Sequence, residues 1–168
     1  MKKIALMLCV ALFMAAPVLA EVKIGIIDVQ KAIALSDAGM ASKTRLEGEL
    51  NAFKQQLEQT KIDLDRLRDD LGKQSAVMSS EARAAKEREF QQKVKDAQRF
   101  EEDRSQELQR LDQTLYNQLL QSFLKLAGDV AKAEGYDFVF ERSSMIHATE
   151  SADFTDKLIA EANKSIKQ

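Results

Sequence analysis

The stretch LEGELNAFKQQLEQTKIDLDRLRDDL, residues 46–71, decides how this chain folds. Its apolar members Leu46, Leu50, Phe53, Leu57, Leu64, Leu67 and Leu71, with the polar Thr60 completing the series, advance by four and three residues alternately. A helix with apolar residues at two positions in seven carries a stripe too narrow to wrap a globular core, so it must run along a partner helix. The stretch therefore predicts a coiled-coil arm beginning near Met40, some thirty residues and roughly 45 Å long.

The partner comes next in the chain. Gly72 and residues 73–80 interrupt the seam, and Ser79 or Ser80 ahead of Glu81 offers an N-cap with an acid in the first turn. The returning helix shows Phe90, Val94, Ala97, Glu101, Arg104, Leu108, Leu111 and Leu115 at the same spacing, two of them charged. An antiparallel reversal about residue 75 sets Phe90 beside Thr60, Val94 beside Leu57 and Ala97 beside Phe53, large against small. Glu101 and Arg104 loosen the seam, either permitting a bend or reaching water along their aliphatic stems. Val77 and Met78 fall at the tip, as a soft contact for unfolded chain or folded back over the hairpin end.

Both flanks of the arm read as one small body. Lys23-Ile24-Gly25-Ile26-Ile27-Asp28 is rich in β-branched residues and predicts a strand, followed by a helical turn through Val29, Ala32 and Ile33. From Leu115 onward the apolar positions Leu119, Phe123, Leu126, Val130 and their neighbours broaden into the stripe of a buried helix, which Gly135 ends at its C′ position. Asp137-Phe138-Val139-Phe140-Glu141 alternates as a strand, and Ser143-Ser144 turns into a second short strand, Met145-Ile146-His147-Ala148. Asp153 or Thr155 caps a last amphipathic helix containing Phe154, Leu158, Ile159 and Ala162. The fold class is α+β: a small β-sheet body, residues 21–42 and 112–168, from which a long antiparallel helical hairpin, residues 43–111, projects. Ile24, Ile26, Leu119, Phe123, Leu126, Phe138 and Phe140 build the body, and a core that small favours self-association.

The first twenty residues order Lys2 and Lys3, the apolar run Ile4 to Ala16, and Val18-Leu19-Ala20, the pattern of a secretory signal peptide cut after Ala20. The apolar run falls short of the ~20 residues that span a bilayer, and the residues before Cys9 do not suit lipid attachment. Cleavage removes the only cysteine, so the exported chain relies on packing without disulfides. It also removes two of the 25 basic residues and none of the 27 acidic ones, leaving 23 against 27, a net charge of about −4. Nucleic acid is a poor partner for that balance.

Chemistry is sparse. His147 is the single histidine and reads as an ordinary strand residue, which leaves no metal set and no nucleophile with its base. No phosphate-cradling glycine loop is present, so no nucleotide or other cofactor is expected. The run Glu101-Glu102-Asp103 lies among Arg99, Arg104 and Arg110 and reads as a solvated helix face. No catalysis is assigned.

The Lys-Ile-Gly-Ile-Ile-Asp strand, Phe100-Glu101-Glu102-Asp103-Arg104 in the hairpin, Gly135-Tyr136-Asp137-Phe138-Val139-Phe140 and Asp153-Phe154-Thr155 together resemble the Skp (OmpH) family of periplasmic chaperones over essentially the whole exported chain. The resemblance implies a homotrimer with a barrel-like body and three hanging hairpins that hold unfolded outer-membrane proteins without ATP. Family members are often strongly basic; the positions proposed to touch lipopolysaccharide align with Asp96, Gln106 and Glu107 here, so that contact and attraction to anionic membranes are not carried over. The expected function is a periplasmic holdase. The rival is a structural coiled-coil adaptor binding one folded envelope partner, and an envelope hydrolase is a distant third.

Overall fold

The computed structural model describes residues 22–74 and 77–166. The expected signal peptide at 1–20 lies outside them. A strand β1 (Ile24–Ile27) leads into a short helix α1 (Val29–Leu35), and two long helices follow, α2 (Asp37–Gln74) and α3 (Ser80–Glu134). Strand β2 (Phe138–Glu141), two 3-10 turns at Arg142–Ser144 and Glu150–Ala152, and helix α4 (Thr155–Ser165) complete the chain.

The two strands pair in parallel, Ile24 with Phe138 and Ile26 with Phe140. Parallel strands need a long crossover, and here the crossover is the whole hairpin. On the other side of β1, Ile26 bridges Asp153, and the Phe154 amide donates to the Ile26 carbonyl at 3.0 Å. Side chains alternate across the sheet. Gly25, Ile27 and Val139 face the helices; Ile24, Phe138 and Phe140 face away.

The core sits where α1, the body end of α3 and α4 meet. Ile27, Val29, Ala32, Ile33, Leu119, Phe123, Val130 and Leu158 form one buried cluster with their small neighbours. Phe123 and Leu158 are the largest of its fully buried side chains. Apolar packing at these positions is worth about 1.5–3 kcal/mol per large side chain.

Caps fix the element ends. The Asp28 carboxylate accepts from the Lys31 amide at 2.8 Å and starts α1. Ser36 joins α1 to α2: its hydroxyl donates to the Ile33 carbonyl at 2.9 Å and accepts from the Gly39 amide at 3.0 Å. Gly39 is required there, because a Cβ would lie 1.8 Å from the Ile33 carbonyl oxygen. Ser79 caps α3 by accepting from Ala82, and Gly135 ends it with φ 71°, the left-handed conformation that glycine adopts without penalty.

Four details differ from the sequence expectations. Residues 145–148 form no strand; a 3-10 turn and an irregular segment occupy this region instead. Alternation alone makes no strand without a partner edge, and among the described residues the one sheet is the β1–β2 pair, which does not include this segment. Helix α2 runs through Gly72 to Gln74, so the reversal centres beyond residue 75. One glycine costs about 1 kcal/mol in a helix, which continued pairing offsets. Phe53 consequently meets Phe100, not Ala97, with ring centroids 6.0 Å apart. Phe100 also takes the inward place expected for Glu101, which points to solvent.

Candidate functional site

Among the described residues, the surfaces open to a partner are the arm, its tip and the outward sheet face. The arm is a two-helix rod, and two helices cannot enclose an interior. Accordingly Leu46, Leu57, Leu64, Leu67 and Leu71 of α2 and Phe90, Val94, Leu108 and Leu111 of α3 are half-buried, while Leu50 is exposed. Phe53 alone is fully packed at 7 % exposure, tilted against Phe100. The signal for Phe100 was an aromatic beside a charged heptad position; burying its ring gains more than burying a carboxylate.

Next to this aromatic layer lies a charged one. Arg104 donates to Glu107 at 2.6 Å and to Glu49 of the opposite helix at 3.5 Å, and its Nε is buried without a partner. Of the two charged seam members, Arg104 remains inside and ties the helices together. Further toward the tip a groove of about 600 Å³ opens between the helices, lined by the small Thr60 and Ala97 together with Leu64, Leu67 and Phe100. At the tip Val77 is 85 % exposed and Met78 is half-buried, so the two residues differ in what they offer a partner. The Lys86 ammonium donates to the Gln74 side chain at 3.0 Å and closes the turn.

The body residues divide. Ile26, Leu119 and Phe123 are buried and Leu126 is half-buried, but Ile24, Phe138 and Phe140 are 44 %, 56 % and 42 % exposed. The last three share the sheet face that turns away from the helices. Behind β1 the Tyr136 and Phe154 rings stack with centroids 4.9 Å apart, and the Lys23 ammonium sits 4.4 Å above the Tyr136 ring. Sequence reasoning missed this stack, although Gly25 marks it: a Cβ there would lie 2.6 Å from the Phe154 ring.

Polar ties hold the body ends together. Burial pushes the Asp153 carboxyl up, but hydrogen bonds from Thr155 and the Arg142 guanidinium at 2.7 Å outweigh it and leave it below the usual range. A hydrogen bond from the Lys157 ammonium and that ion's charge lower Glu134. At the tip, backbone and the Ser80 and Ser79 hydroxyls lower Glu81.

Charge is unevenly divided. Residues 43–111 hold 15 basic and 15 acidic side chains, so the arm is neutral, while residues 21–42 and 112–168 hold 8 basic and 12 acidic ones and the body is acidic. Among the described residues no group of histidine, cysteine, aspartate or glutamate is placed to hold a metal ion. No described helix is long and apolar enough to cross a membrane. His147 stands exposed in the irregular segment.

A long helical hairpin inserted between the two strands of a small α+β body defines the class of protein. Within that class, this chain belongs to the OmpH-like outer membrane protein family, whose sequence model matches residues 23–161. It is 27 % identical over 158 residues to a Skp-like protein of Pseudomonas aeruginosa, covering 94 % of each chain. Its fold matches the crystal structure of a candidate outer membrane chaperone (OmpH-like) from Caulobacter crescentus with a TM-score of 0.83, over 89 % of this chain and 88 % of that one. At 21 % identity that likeness speaks for the fold alone.

Proposed function

We propose that this protein is an ATP-independent holdase of the periplasm, exported by a cleaved signal peptide at residues 1–20, that keeps unfolded outer-membrane proteins from aggregating. The observation that carries the reading is a neutral, half-buried hairpin projecting from a body whose sheet face leaves Ile24, Phe138 and Phe140 open. A homotrimer covers that face and brings three arms around one space. Contacts from several arms add as avidity, so weak individual contacts hold a client tightly and release it stepwise without fuel. Membership of the OmpH-like family and the 27 % identity to a Skp-like protein over 94 % of each chain support this reading. Nucleic acid, lipopolysaccharide and anionic membrane are not among the proposed partners, since neither the neutral arm nor the acidic body attracts them.

The test uses the chain without residues 1–20. Light scattering should give a trimer, and diluting a urea-unfolded porin into the protein should suppress turbidity with no nucleotide added. A monomer at micromolar concentration, or unchanged turbidity, refutes the proposal. Fixed-stoichiometry binding to one folded envelope protein, with denatured porin ignored, identifies the adaptor instead.

A further inference from the structure

The groove between α2 and α3 is a formed feature of the arm that hairpin packing does not account for. Thr60 and Ala97 are small members of the seam that line it, and Leu64, Leu67 and Phe100 remain half-buried around it. The groove offers about 600 Å³ of space open to solvent along one side of the arm. Residues 60–70 of α2 cover roughly 15 Å of helix axis, the reach of about five residues of extended chain.

The rim carries charge of a definite balance. Arg66 is engaged by Asp63 at 3.8 Å on the same helix. Among the described residues Asp70 and Asp96 have no cationic partner, and Asp96 accepts only from Gln92 at 2.9 Å. Lys93 also lines the groove, among the described residues the one cation there outside the Arg66–Asp63 pair. The floor is therefore apolar and the rim has one anion in excess.

We infer that this groove binds a short extended segment of a client in which apolar side chains alternate with lysine or arginine, the apolar ones seated on Leu64, Leu67 and Phe100 and the cationic ones beside Asp70 and Asp96. The inference rests on the holdase reading and assigns part of client recognition to a place within a single arm. An extended segment presents successive side chains to opposite sides, so its apolar set can face the floor while the long lysine or arginine stems on the other side bend back to the rim carboxylates. Strands of membrane barrels alternate in polarity in this way.

The experiment measures fluorescence anisotropy of a short labelled peptide alternating leucine with lysine, and of its counterpart with glutamate, against the full chain. The lysine peptide should bind roughly three- to tenfold more tightly, with the difference shrinking in salt. Ala97→Leu fills the groove with an apolar seam residue; it should remove binding while keeping or raising the thermal midpoint. Asp70→Lys with Asp96→Lys, both on exposed positions, should reverse the preference. Equal binding of the two peptides, or undiminished binding by a folded Ala97→Leu, overturns the inference. The turbidity assay separates the two levels. If the parent chain suppresses porin aggregation but the groove variants bind peptide like the parent, the groove is wrong and the holdase stands. If peptide binds as described but turbidity is unchanged, the groove stands and the holdase falls.

Discussion

Replacing Gly25 by alanine tests how the body is held together. The new Cβ would lie 2.6 Å from Phe154 Cε1 and 3.0 Å from Tyr136 Cδ1. Comfortable carbon contacts lie at about 3.5–4.0 Å, so the Phe154 ring must retreat by about 1 Å. It has little room: its amide is bonded to the Ile26 carbonyl at 3.0 Å, and its ring is stacked on Tyr136. Overpacking of this kind costs about 1–3 kcal/mol, and a disturbed stack adds up to about 1 kcal/mol. The gain from a less flexible unfolded chain is only about 0.4–1 kcal/mol, so destabilisation wins. Urea titration followed by far-UV circular dichroism should show a midpoint lower by roughly 1 M. Both proteins are compared at one concentration, because the midpoint of any chain that self-associates moves with concentration. Combining Gly25→Ala with Phe154→Leu should cost less than the sum of the two changes, since the leucine vacates the space that Cβ enters. A single variant within about 0.5 kcal/mol of the parent, or strict additivity, refutes the reasoning.

Three further outcomes follow from the same structure. Gly39→Ala should destabilise the α1–α2 elbow by at least about 2 kcal/mol, because the Cβ meets backbone and not a movable side chain; a thermal melt by circular dichroism reads it. Arg104→Met should leave stability unchanged or raise it by up to about 1 kcal/mol, since it removes a partly buried ion whose Nε has no partner, and a loss above that size in urea titration would falsify the assignment. The lowered Glu134 and Asp153 carboxyls contribute stability that is fully present above the ordinary carboxylate range and is lost as pH falls through their depressed values. The thermal midpoint should therefore be level from neutral pH to about 5 and decline below about 4, and Asp153→Asn should shallow that decline.

The arm was legible in the sequence because a period of 3.5 survives in single residues, from Leu46 to Leu71 and from Phe90 to Leu115. The ends of α3 were legible for the same local reason, since Ser79 and Gly135 carry their capping chemistry in their own side chain or lack of one. Register was not. Sliding one helix along the other leaves every heptad in place, and only the turn chooses the pairing; Gly72 read as a stop while the helix ran on to Gln74. The strand expected at residues 145–148 failed because pairing is a property of two segments, and its pattern carries no word of a second. The Tyr136–Phe154 stack and the Ser36–Gly39 elbow were hidden because they join residues whose meeting depends on the finished body.

Helix α3 is a single rod of 55 residues, about 80 Å, whose far end is the hairpin tip and whose near end supplies Leu119, Phe123 and Val130 to the core. It therefore works as a lever with no joint between handle and fulcrum. A load that pries the tip outward strains the packing around Phe123 directly, so how far the hairpin swings and how firmly the base is seated are one mechanical quantity.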